Sequence, residues 1–238
     1  MHKKTIVLLC SVMLSCPVMA ADHLYPEPSI YAGNQFLRAY DQDIAEAFQA
    51  ALDRDVVLRM IFIPSFIPES AVGIRSKAGQ FEIFSMHPSE PVWMYRQRHA
   101  GKVTVNPNGK IDGSQIFDLA RGDPKQMLVK TCSIGLPQSA KDLLAIVWER
   151  VLRDVRYDGA EMSGADGAVF HFAMRKEPRD RRYMPELMAG QVWSGPVGPR
   201  MGALIDIATT MDHFCEARDP KTLDALTAKA RDFIKAMH

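Results

Sequence analysis

The chain has 238 residues, of which 47% are apolar and 24% charged, with a formal net charge of +1. This is ordinary globular composition with enough apolar material for a core. It lacks the basic excess of a nucleic-acid binder, and beyond the N-terminus no apolar run approaches the ~20 residues of a bilayer span.

The N-terminus carries the strongest signal. His2, Lys3 and Lys4 make a basic segment, Thr5 to Met13 an apolar one, and Val18-Met19-Ala20 places small residues before a cut after Ala20. Residues 1–20 therefore read as a secretory signal peptide, and the mature chain, 21–238, as periplasmic or secreted with no transmembrane segment. The bland alternative is a buried N-terminal helix or strand. Removing Lys3 and Lys4 lowers the 29 basic residues to 27 against 28 acidic ones. Lipidation at Cys16 is a poor fit, because Met13-Leu14-Ser15 departs from the usual small-residue pattern. Cleavage leaves two cysteines, Cys132 and Cys215. In an oxidising compartment such a pair can form a disulfide. The competing reading is two buried small hydrophobes, and spacing does not choose between them.

Residues 21–33, with Pro26, Pro28 and Gly33, read as an extended or mobile arm. From Asn34, a plausible N-cap, Tyr40, Ile44, Phe48 and Leu52 recur at helical spacing. Residues 56–63 are a β-branched run ended by Pro64 and read as a strand. Short runs at 71–75, 80–86, 91–97 and 101–106 suggest an antiparallel meander. On the second of these, Phe81, Ile83 and Ser85 share one face and Glu82 and Phe84 the other. Residues 107–125 read as loop, with one helical turn at 114–120. Residues 126–135 form the next strand. Ser139 with Asp142 resembles a capping box opening a helix to Asp154, whose buried face is Leu143, Leu144, Val147, Trp148 and Val151.

Two runs, 168–174 and 189–194, then read as paired strands joined by a connection rich in Arg and Lys. Helices follow at about 200–217 and from Pro220, with Asp219 as N-cap and Pro220 at the first helical position. Helices at the ends and strands between predict one α+β domain with a mainly antiparallel sheet. It has an N-terminal helix, a helix before the central hairpin and two C-terminal helices. A split into two subdomains near 107–125 is the alternative.

No motif declares an activity. A Gly-x-Ser-x-Gly elbow is absent. Gly195-Pro-Val-Gly-Pro has prolines where a phosphate loop needs free amides. Cys132 can serve as a nucleophile only if it is unbridged and has a histidine beside it. His213 and Cys215 sit about 200° apart around a helix and cannot share a metal. No metal or cofactor is implied.

His171 is the leading titratable candidate. It lies mid-strand, on the face opposite Phe170 and Phe172, with Val169 and Ala173. The bland reading is a structural residue on a partly covered face. The sharper one is a general base oriented by Asp166 or Glu161. Arg175, Lys176, Arg179, Arg181 and Arg182 form either a solvated hairpin loop or a patch for an anion or acidic partner. Trp193, near Gly190 and Gly195, is either a cleft aromatic or core filling.

The pattern Asp166-Gly167-x-x-Phe170-His171-Phe172, followed by Ala189-Gly190-Gln191-x-Trp193-Ser194, resembles a group of uncharacterised secreted proteobacterial proteins. It covers roughly residues 139–217. The resemblance implies no stated activity, although some small envelope proteins of this general kind are immunity factors against toxins. These readings together lead to a secreted, non-catalytic binding or inhibitory protein with a protein or small-molecule partner. The alternatives are a periplasmic hydrolase using His171 and an envelope accessory or assembly factor.

Overall fold

The computed structural model describes residues 22–26, 35–99, 127–157, 167–176, 186–195 and 197–237. The architecture is α+β. Helices α1 (Gln35–Ala47) and α2 (Gln49–Leu52) precede β1 (Val56–Pro64), β2 (Ser70–Lys77), β3 (Gln80–Pro88) and α3 (Val92–His99). Then come β4 (Val129–Leu136), α4 (Gln138–Leu152), β5 (Ala168–Lys176), β6 (Glu186–Trp193), α5 (Pro199–Ala217) and α6 (Pro220–Ala236). The six strands form one sheet in the order β4-β3-β2-β1-β5-β6, and every pairing is antiparallel. Strands on both sides of the segment 107–125 belong to this sheet.

Strand side chains alternate between faces, and the two faces build two cores. Leu58, Met60, Val72, Ile74, Ile83, Phe172 and Val192 pack with α4, α5 and α6 through residues such as Leu144, Trp148, Leu204, Met211 and Phe233. Ile61, Ala71, Phe84 and Met86 turn the other way, against Ile44, Phe48 and Ala51 of the N-terminal helices and Val92 and Tyr95 of α3. The expected division of Ile83 from Phe84 across β3 is thus what separates the two cores. Trp148 is 1% exposed. Its indole nitrogen donates to the Arg59 carbonyl at 3.2 Å, so this bulky residue fills the core with its polar atom satisfied.

Four local expectations give way to tertiary context. Residues 91–97 are not a strand: α3 runs through them. Ser139 lies inside α4, whose N-cap is Pro137, because β4 runs straight into the helix. Arg175 and Lys176 are the last residues of β5, not loop. Of the two readings of the arm, residues 22–26 take the extended one and are docked, not mobile. Tyr25 and Gln191 exchange backbone hydrogen bonds of 2.8 and 2.9 Å, Leu24 accepts from the Arg156 amide at 3.1 Å, and Leu24 is fully buried. Asp22 accepts from the Arg200 amide at 2.8 Å. It supplies the cap that Gly198, the N-cap residue of α5, cannot. A Cβ on Gly198 would lie 2.5 Å from that carboxylate, so this approach requires glycine. Asn34, the remaining arm residues and 101–126 lie outside the described residues. At the start of α6 the expected cap is present: Asp219 accepts from the Lys221 amide at 3.0 Å.

Candidate functional site

The most distinctive surface lies at one end of the sheet, where β1 leaves, β5 begins and β6 ends. Ser65, just past β1, grips Gly167, just before β5. Its amide and hydroxyl donate to the Gly167 carbonyl at 3.0 and 2.6 Å, and its hydroxyl accepts from the Gly167 amide at 3.1 Å. On the other side of Gly167, Ala168 donates to the Ser194 hydroxyl at 2.6 Å and accepts from the Ser194 amide at 2.6 Å. The corner is closed by hydrogen bonds between three segments far apart in sequence.

Trp193 is held against this corner. It is half-buried and faces Val169 across β5 and β6. Gly167 has φ +149°, and a Cβ there would lie 2.5 Å from the indole nitrogen. A Cβ on Gly195 would lie 2.7 Å from the ring. The indole therefore rests on two bare backbones, and side chains at either position would displace it. The partners are Gly167 and Gly195. Gly190, by contrast, makes room for Leu24 and Val155.

From Ser65 the chain crosses to β2 through Phe66, Ile67, Pro68 and Glu69. Phe66 is 74% exposed and Ile67 56%, whereas Glu69 is wholly buried. Glu69 accepts from the Val92 amide at 2.8 Å, at the N-terminus of α3, and from the Tyr40 hydroxyl. A carboxylate there matches the positive end of the helix dipole. Burial, together with the hydrogen bond to Glu69, pushes the Tyr40 phenol far above its ordinary range. The turn is thus pinned at Ser65 and Glu69, with two large apolar side chains held out between the pins.

His171 sits one row in from this end on the same face as Trp193. It is half-buried, flanked by Ile61 on β1 and Gln191 on β6. Gln191 is buried, and Tyr25 pairs beyond it. The structure thus brings His171 and Trp193 onto one face near one end of the sheet. Asp166, Glu161, Arg179, Arg181 and Arg182 lie outside the described residues. Among the described residues no group of three or more His, Cys, Asp or Glu could hold a metal ion.

Cys132 and Cys215 are joined by a disulfide, with Cα atoms 5.9 Å apart. The bond removes Cys132 as a nucleophile and ties β4 to α5. Beside it, His87 Nε2 lies 2.9 Å from Asp212, and Lys130 bonds Glu216 at 2.9 Å. Asp212 and Glu216 are one helical turn apart, and they reach the cross-strand pair His87–Lys130. Ser85 shares the strand face of His87, giving the residue types of a hydrolase triad. Ser85 has no exposed surface, however, so no substrate reaches its hydroxyl, and the ion pairs act as a clamp.

That clamp is pH-dependent. The hydrogen bond to Asp212 raises the His87 pKa above its ordinary value, against the lowering effect of burial. A raised pKa means the folded state holds the proton more tightly. The stabilisation is complete below the unfolded pKa of about 6.5 and is lost as pH rises through the folded value. With both side chains partly solvated, we expect roughly 0.5–1 kcal/mol. Urea unfolding at pH 6 and pH 8.5 checks this: the native protein should lose that increment, and His87→Gln should not. Equal slopes in both proteins refute the assignment.

Comparison of the chain with protein-family models, curated proteins and solved structures finds no match. Sequence motifs do not single out the Phe66–Ile67 turn. Its signal is two bulky apolar residues between Pro64 and Pro68, where a surface turn is normally polar.

Proposed function

We propose that the protein is a secreted, non-catalytic binding protein, inhibitory or immunity-like in character, that engages its partner through the braced end of its sheet. The observation that carries this reading is the exposed Phe66–Ile67 pair, next in the chain to Ser65, whose hydrogen bonds to Gly167 close the corner. Contiguous exposed apolar surface on a folded domain marks an interaction site.

The groups with shifted protonation add support. Perturbed titration is a mark of catalytic sites; among the described residues, three of the groups that show it join elements of the frame. His87 joins β3 to α5. Tyr40 joins α1 to the turn after β1. Glu149, whose pKa is lowered by Lys176 and then Arg153, joins α4 to β5. In this reading residues 1–20 direct export and are removed after Ala20. Among the described residues no helix is long and apolar enough to cross a membrane.

The test uses protein beginning at Ala21 with a C-terminal tag, mixed with an extract of its own cell envelope. Native mass spectrometry of the retained material should show a near-stoichiometric complex, reproducible by calorimetry with the purified partner. A hydrolytic activity that His171→Ala abolishes without moving the melt would overturn the non-catalytic reading.

A further inference from the structure

We infer that the Phe66–Ile67–Pro68 turn is a preformed anchor that inserts into an uncharged apolar pocket on a protein partner. This rests on the binding reading above and names the group that makes the contact.

Three observations lead there. First, the apolar pair is presented, not merely left over: Phe66 is 74% and Ile67 56% exposed, and neither contributes to either core. Folding gains little from them, so their size is unexplained by stability. Second, the turn is fixed before binding. Ser65 is bonded to Gly167 through both backbone and side chain. Glu69 is buried and bonded to the Val92 amide and Tyr40. Pro68 fixes its own φ between these points. A turn ordered in advance avoids most of the entropy cost of immobilising an interface loop, and a convex loop of this kind fits a partner's cleft with little rearrangement.

Third, the charge of the turn's own segment favours a protein over a bilayer. From Met60 to Ile74 the only ionisable residue is Glu69, and it is turned inward. Shallow membrane binding by a small apolar tip requires added attraction between basic residues and anionic lipid, and this stretch provides none. Two adjacent large side chains entering a desolvated pocket instead match the small central cluster that dominates a protein interface. A pocket that accepts them is apolar and carries no charge facing the tip.

The experiment places a photoreactive phenylalanine analogue at position 66 and, as a control, at Tyr157, a 69% exposed residue past the C-terminal end of α4. Both proteins are irradiated in envelope extract. In parallel, Phe66→Ser/Ile67→Ser is compared with the native protein against the purified partner by calorimetry, and against vesicles of phosphatidylethanolamine and phosphatidylglycerol by flotation. The expected result is a protein crosslink from position 66 and not from 157, and a Kd raised roughly 100-fold or more by the double substitution. Because both side chains are exposed, the variant should melt with the native protein.

A partner that binds the double variant equally well, or crosslinks only from 157, overturns the anchor while leaving the binding function standing. Flotation that depends on Phe66 and Ile67 overturns it in favour of a lipid surface. Self-association lost in the double variant overturns it in favour of a second copy. Retention of no partner at all removes the binding reading and the anchor together.

Discussion

Replacing Cys132 and Cys215 together by alanine is expected to lower stability by about 2–4 kcal/mol. For a domain of this size that corresponds to a fall of roughly 4–16 °C in melting temperature. The disulfide closes a sequence separation of 83 residues, so much of its effect comes from restricting the unfolded chain. The folded state also depends on it. β4 is an edge strand and among the described residues pairs only with β3, so the bond to α5 is a second attachment. Two ion pairs, His87–Asp212 and Lys130–Glu216, flank it. They are solvated and cannot replace it. Alanine is preferred to serine because Cys215 is wholly buried, and a hydroxyl there would add its own cost. Calorimetry of the variant, and of native protein with and without reductant, checks the expectation. A variant melting within a degree or two of the oxidised protein would show that the bond contributes nothing.

The pair also illustrates where sequence reasoning stops. That residues 21–238 hold just two cysteines is visible in the chain. That β4 and α5 bring them within bonding distance is a fact of tertiary packing. The same boundary recurs elsewhere. β1, β5, β6 and the last two helices are legible because apolar runs bounded by turn residues mark the strands and apolar residues at steps of three and four mark the helices.

α3 is illegible because Val92, Trp93 and Tyr95 have strand-forming character, and the group that starts the helix, Glu69, lies 23 residues upstream. The candidate site divides along the same line. Trp193 stands out by type, but the backbones beneath it, Gly167 and Gly195, meet only once the strands are in register. Phe66 and Ile67 follow Pro64, which ends the apolar run of β1. Their place between two prolines is legible; their exposure outside both cores is not. His171 keeps its strand and its face, and its half-buried position beside Gln191 supplies no chemistry by itself.

The largest effect is expected from the segment Asp22–Pro26. Leu24→Ala should cost about 2–5 kcal/mol, as for other fully buried leucines, and Asp22→Ala about 1 kcal/mol through loss of the α5 cap. Removing residues 21–25 altogether combines these with the two backbone bonds to Gln191. The sum approaches the 5–15 kcal/mol that a typical domain has in total. A chain beginning at Pro26 should therefore lack a cooperative melt, or show one lowered by well over 10 °C, and be cut rapidly by protease. A truncated chain that melts near the native temperature would show that the segment merely lies on the surface.

The location of the loss matters for function. Tyr25 pairs with Gln191, and Gln191 with His171, so the segment borders the row next to Trp193. Without it, the outer edge of β6 loses its cover at Gln191, and an uncovered edge invites pairing with other chains. The truncated protein should thus self-associate as well as weaken. Sedimentation separates the two effects, because Leu24→Ala removes the packing while leaving the backbone of Tyr25 able to cover the edge.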